Sequence, residues 1–108
     1  MLRRQAVGCA GIRFSIVLEE KEVARAYLYI FGNDLHAEPV GYLEDVFVDE
    51  NFRGRGFMRQ LLEEIFQAAR ENKCYKIVAT SRFSRPEVHA IYERFGFKKH
   101  GLEFRLDL

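Results

Sequence analysis

The residues best equipped for chemistry are Arg53-Gly54-Arg55-Gly56, set between an apolar stretch that ends at Val48 and an amphipathic run that begins at Phe57. Two glycines without Cβ atoms let the backbone curl tightly and bring several N–H groups close to a ligand. A helix starting here adds unpaired amides and the positive end of its dipole. Arg53 and Arg55 add charge. Together these make a nest for a phosphate or pyrophosphate. The spacing excludes two common uses of such a loop. No Gly-Lys-Ser/Thr follows the glycines, and Gly54-Arg55-Gly56-Phe57-Met58-Arg59 has Arg59 where a dinucleotide fingerprint needs its third glycine. A plain strand-to-helix turn is the simpler reading, but it has no use for two arginines alternating with two glycines.

The elements around the loop belong to one domain, residues 1–108, long enough for a modest core. Hydrophobic residues at 48% and charged residues at 31% are ordinary globular values. A formal net charge of +1 argues against bulk attraction to nucleic acid or to a membrane surface, so any basic function is local. Cys9 and Cys74 stand in no metal or redox spacing, and a reduced, cytoplasmic setting is the expectation. The first residues start basic and turn apolar, but Arg13 interrupts a run too short to span a bilayer.

Ile12, Phe14, Ile16 and Leu18 alternate with Arg13, Ser15, Val17 and Glu19, which predicts a half-buried strand. Glu20-Lys21-Glu22 reads as a turn, Val23 to Phe31 as a second strand closed by Gly32-Asn33-Asp34, and Val40 to Val48 as a third, giving two tight antiparallel connections. Phe57, Leu61, Leu62, Ile65, Phe66 and Ala69 recur at helical spacing to about Glu71, with Asn72 as the closing residue. Tyr75 to Thr80 is a short strand, parallel to the third if the helix is a crossover. Pro86 opens a second helix to about Phe95, and Gly96 stops it. Leu102, Phe104, Leu106 and Leu108 alternate with charged residues in a last predicted strand. The expected order is β-β-β-α-β-α-β, an α+β fold with one mixed sheet.

Two separated signatures in this order resemble the GNAT superfamily of acetyl-CoA-dependent N-acetyltransferases. The first is Val46-Phe47-Val48-Asp49-Glu50-Asn51-Phe52-Arg53-Gly54-Arg55-Gly56, similar to the family's strand and Arg/Gln-x-x-Gly-x-Gly/Ala loop. The second is Ala90-Ile91-Tyr92-Glu93-Arg94-Phe95-Gly96-Phe97, similar to its Tyr-Glu-Lys/Arg-x-Gly-Phe ending. The resemblance covers Val40 onward. It implies that acetyl-CoA is the cosubstrate, that amides of Arg53, Gly54, Arg55, Gly56, Phe57, Met58 and Arg59 hold its pyrophosphate, and that backbone groups of Val46, Phe47 and Val48 hold the pantetheine arm and polarise the thioester. It also implies a wedge between the third strand and Tyr75–Thr80. Three departures stand out. Met58 takes a Gly/Ala position of the loop, Ser84-Arg85-Pro86 stands where the family often has a CoA-contacting Asn, and the family's N-terminal helices are reduced or absent.

Acetyl transfer to an amine needs a deprotonated nucleophile, a stabilised oxyanion and a protonated leaving thiolate. Tyr92 holds the family's general-acid position, and a phenol of pKa about 10 suits that task. The alternative for Tyr92 is packing beside Val88, Ile91 and Phe95. For the base, Glu44 and Asp45 are adjacent on a strand and point to opposite faces. Glu44 is expected to share its face with Tyr42, Val46 and Val48, and it is preferred to Asp45, although both also read as strand-end charges. His89, three residues before Tyr92, shares its helical face but reads as a packing residue. Arg82 and Arg85 flank the cleft as attractors of an anionic acceptor or as solvated charges. No metal-ligand pattern is present, and Tyr27, Tyr29 and Phe31 lack the context of a base-stacking sheet.

The expected activity is transfer of acetyl from acetyl-CoA to a primary amine, on a small molecule or a protein, by direct attack. A GNAT-like module that holds acyl-CoA without catalysis is the alternative. Neither nucleic acid nor membrane is an expected partner, and an uncovered edge or face leaves room for a homodimer.

Overall fold

A computed structural model describes residues 1–108. Strand β1 (Cys9–Leu18), β2 (Lys21–Phe31) and β3 (Val40–Val48) form an antiparallel meander; a single 3-10 turn (Glu50–Phe52) and helix α1 (Phe57–Glu71) lead to β4 (Lys76–Ala79), and α2 (Pro86–Arg94) follows. The sheet order is β1-β2-β3-β4, with β4 parallel to β3. Parallel neighbours need a crossover, and α1 provides it.

The first connection is a two-residue turn, Glu19-Glu20, with both residues at positive φ (48° and 66°). The turn therefore lies ahead of the predicted Glu20–Glu22, and β2 begins at Lys21. The second connection is not tight. It runs from Gly32 to Pro39 and is shaped by Asn33, whose Oδ1 accepts from the Leu35 amide at 2.9 Å.

Helix α1 ends as its sequence suggests. Asn72 caps it, its amide and Nδ2 both donating to the Ala68 carbonyl. Lys73 at φ 61° then turns the chain, so the Lys73 and Cys74 amides reach Arg70 and Ala69.

The core lies between α1 and one face of the sheet. Leu61, Leu62, Ile65 and Ala69 of α1 pack on Ala24, Ala26, Leu28, Leu43 and Val48. Replacing a fully buried residue of this layer, such as Ile65, by alanine removes several methyl contacts at a cost of about 2–5 kcal/mol.

The predicted seventh element is absent. Residues 102–108 form no strand, and Leu102, Phe104 and Leu106 are exposed. Alternation confers a tendency, but a strand exists only where another strand accepts its hydrogen bonds, and none is placed beside this segment. Residues 1–8 form neither helix nor strand.

Candidate active site

The parallel pairing of β3 with β4 runs only from Val40 to Leu43 against Lys76 to Ala79. Beyond it β3 continues to Val48 with that edge unpaired, and the two strands separate. Tyr42 Oη and Thr80 Oγ1, sharing a hydrogen bond at 3.1 Å, tie them together at the point of parting. A cleft opens at the place where the wedge between these strands is expected.

A β-bulge shapes its wall. On β2 one residue, Ala26, lies between Arg25 and Tyr27, whereas on β3 two residues, Asp45 and Val46, lie between their partners Phe47 and Glu44. Asp45 is the residue that takes a left-handed conformation, φ 51°. The extra residue shifts the alternation by one. Glu44 consequently shares its face with Tyr42 and Phe47, which lie opposite Tyr29 and Arg25, while Val48 joins Leu43 in the core under α1. This corrects the expectation that Glu44 lies on the face of Val46 and Val48, because period-two counting fails across a bulge.

The cleft at this opening, about 350 Å³, is lined by Leu43, Glu44, Asp45 and Val46 on the β3 side, Thr80 to Arg82 after β4, and Arg85, Val88 and Tyr92 of α2 and its approach. Glu44 and Tyr92 are half-buried, and Asp45 is exposed. Burial pushes the Tyr92 phenol above its ordinary value of 10.0, and the Glu44 carboxylate and Tyr42 push it the same way. Tyr92 thus stays protonated across the neutral range.

His89 does not face an incoming group. Its Nε2 lies 2.8 Å from the Arg82 carbonyl; a carbonyl only accepts, so Nε2 carries the proton and the ring pins the loop that leads into α2. Arg85 is held by Glu87 in an ion pair, whereas Arg82 has no carboxylate partner. Thr80 and Ser81 were not legible as cleft residues, since only the register of β4 on β3 brings them there.

The loop before α1 is built from its backbone. Asp49 Oδ1 accepts from the Asn51 amide at 2.9 Å, and this hydrogen bond is the main reason its carboxyl lies below the usual range. Arg53 Nε donates to the Val48 carbonyl at 3.1 Å, so this arginine fastens the loop to the end of β3 instead of standing free. Arg55 lies over the Phe52 ring at 4.8 Å, and Arg59 over Phe95 at 5.0 Å. Gly54 and Gly56 have φ of 77° and 82°, conformations in which a side chain is strained.

Gly56 caps α1 without a side-chain hydrogen bond, no acidic residue lies in the first turn, and the first intrahelical bond runs from the Gln60 amide to the Gly56 carbonyl. The amides of Phe57, Met58 and Arg59 are left without a backbone acceptor. Met58 does not crowd them, because its side chain packs against the core. The residues present therefore fit an anion of pyrophosphate type.

The profile of the acetyltransferase (GNAT) family matches residues 3–97. The chain is 39% identical over 70 residues to the glucosamine 6-phosphate N-acetyltransferase of Trypanosoma brucei brucei, covering 64% of this chain and 45% of that protein. It is 30% identical over 82 residues to the glucosamine 6-phosphate N-acetyltransferase of Candida albicans, covering 75% of this chain and 53% of that protein. The chain spans about half the length of these curated relatives. Among solved structures, a Trypanosoma brucei acetyltransferase superposes with a TM-score of 0.78 at 30% identity, over 94% of this chain and 70% of that one.

Proposed function

We propose that this chain, which belongs to the acetyltransferase (GNAT) family, transfers the acetyl group of acetyl-CoA to a primary amine on a small anionic acceptor. The reading rests on one observation above all: β3 and β4 part after Leu43 and Ala79, and Tyr92 sits at the opening with a phenol held protonated. Acetyl-CoA supplies an acetyl thioester. In this proposal the amides of Phe57, Met58 and Arg59 receive its pyrophosphate together with the Arg53–Gly56 loop, and the unpaired edge of Val46 to Val48 receives the pantetheine arm.

The acceptor's lone pair attacks the thioester carbon, forming a C–N bond, and a backbone amide near Val48 stabilises the oxyanion. Glu44 takes the amine proton directly or through water. The C–S bond breaks, and Tyr92 Oη delivers its proton to the departing thiolate. No covalent enzyme intermediate is required.

Two walls of the cleft favour an acceptor that carries both charges. Glu44 and Asp45 on one side suit an ammonium group, and Arg82 on the other, free of a carboxylate partner, suits a phosphate. The relatives named glucosamine 6-phosphate N-acetyltransferases support a phosphorylated amino sugar. No helix of the structure is long and apolar enough to cross a membrane; the free thiols Cys9 and Cys74 support a cytoplasmic setting.

The test is calorimetric titration with acetyl-CoA, followed by thiol release with glucosamine 6-phosphate and with glucosamine. Thiol release that is faster with the phosphorylated sugar, and an Arg82→Gln change that raises its KM with little effect on kcat, are expected. Acetyl-CoA binding without thiol release from any amine would replace this reading with a non-catalytic binding module.

A further inference from the structure

Tyr27 and Tyr29 are aromatic residues that the proposed reaction leaves without a task. Helix α1 covers the sheet face that carries Ala24, Ala26 and Leu28. Alternation along β2 puts the two tyrosines on the opposite face, where Tyr27 is half-buried and Tyr29 is 37% exposed. Their rings lie 5° from parallel, with centroids 6.1 Å apart.

Both rings are held from β1. Gly11 lies directly across from Tyr29, and a Cβ there would stand 3.1 Å from both Cδ1 and Cε1 of that ring. A side chain at Gly11 would therefore displace it. Arg13, across from Tyr27, donates from Nε to the Tyr27 hydroxyl at 3.0 Å. The pair also adjoins the candidate reacting groups. On β3, Glu44 is the partner of Tyr27 and Tyr42 the partner of Tyr29, and side chains so opposed stand about 5 Å apart. Tyr42 in turn reaches Thr80 at the mouth of the cleft.

The chemistry of this surface selects its occupant. Arg13 is also paired with Glu22, and the Arg25 guanidinium lies over Phe47 at 4.8 Å. An anionic ring thus finds these cations already engaged. A pyranose presents a face of C–H bonds, which suits the negative face of an aromatic ring, and a rim of hydroxyls, which suits the phenolic hydroxyls.

We propose that Tyr27 and Tyr29 form a subsite for a second, uncharged sugar ring, joined to the amine-bearing ring whose nitrogen lies at Glu44. The inference rests on the transfer reading above and widens its acceptor class from a single amino sugar to disaccharides that contain one. The competing role for Tyr29 is to shield a strand glycine, and that role has no effect on acceptor choice.

Two acceptors test the subsite: glucosamine, and the disaccharide in which glucosamine is linked to N-acetylglucosamine. Wild-type kcat/KM for thiol release should be about tenfold higher with the disaccharide. Tyr29→Phe keeps the ring and should keep the preference. Tyr29→Leu keeps apolar bulk without an aromatic face, and should bring the two acceptors level. Gly11→Ala, which displaces the ring without changing it, should narrow the difference. Equal values for the two acceptors in the wild type overturn the proposal. A preference that survives Tyr29→Leu, with a lowered melting temperature, overturns it equally and assigns the tyrosine to packing on Gly11. Binding is read apart from turnover by tyrosine fluorescence, since the chain has five tyrosines and no tryptophan. Tighter binding of the disaccharide without any thiol release would remove the transfer reading and keep the subsite, whereas equal binding of the two sugars removes the subsite.

Discussion

Tyr92 and Phe97 are joined twice: the Phe97 amide donates to the Tyr92 carbonyl at 3.0 Å, and their rings lie 5.3 Å apart at 48°. Between them Gly96 takes φ 102° and its amide donates to the Glu93 carbonyl at 3.1 Å. This is the Schellman close of a helix, in which the residue after the left-handed glycine folds back on the residue that opens the motif. The signature Tyr-Glu-x-x-Gly-Phe is therefore a device for fixing the tyrosine at the mouth of the cleft.

If Tyr92 is the proton donor and Phe97 its support, their substitutions separate. Tyr92→Phe removes only the hydroxyl and should lower kcat about a hundredfold or more, with acetyl-CoA affinity and melting temperature almost unchanged. Phe97→Ala should lower both kcat and the melting temperature. Steady-state kinetics with calorimetric binding and thermal melts reads both; wild-type turnover in Tyr92→Phe would remove the tyrosine from the mechanism.

The raised pKa of Tyr92 gives stability a direction with pH. Below the unfolded value near 10.0 the phenol is protonated in both states. Above it the unfolded chain releases a proton that the native chain retains, so stability falls with rising pH until the folded pKa is passed, by at most about 1.4 kcal/mol per pH unit. Urea midpoints of the wild type measured from pH 9 to 11 should therefore fall more steeply than those of Tyr92→Phe. Parallel slopes would mean that the phenol is not shifted.

Gly56 separates conformational from steric cost. A Cβ there meets nothing within 4 Å, but φ is 82°, so Gly56→Val strains the backbone by about 1–2 kcal/mol without any clash. The relaxed loop would no longer aim the Phe57, Met58 and Arg59 amides at one point. Acetyl-CoA affinity measured by calorimetry should drop at least tenfold, a larger effect than the stability loss alone implies. Unchanged affinity would take the pyrophosphate away from this loop.

The two loop arginines should behave differently. Arg53 holds the Val48 carbonyl, so Arg53→Met is expected to lower the melting temperature by about 4–8 °C, the loss of one hydrogen bond, and to weaken acetyl-CoA binding as the loop loosens. Arg55 is exposed, with only a long 3.5 Å contact to the Asn51 carbonyl and the Phe52 ring beneath it. Arg55→Met should leave the melting temperature in place and weaken binding in a salt-dependent way. Melts and titrations at low and high salt decide between these roles.

The sequence alone determined the features that depend on neighbours along the chain. The bounds of α1, Phe57–Glu71, follow from helical spacing and the glycine loop, and the close of α2 follows from Gly96. The parallel placement of β4 follows from the crossover, and the family from two signatures in order. The tertiary structure decided what depends on partners across space. The bulge at Asp45 is visible only against the β2 register, and it moves Glu44 to the face of Tyr42. The fastening of Arg53 requires the Val48 carbonyl to lie beside it. Residues 102–108 show the limit most plainly: periodicity specifies which face a strand would bury, whereas the strand itself forms only where a second chain segment completes its hydrogen bonds.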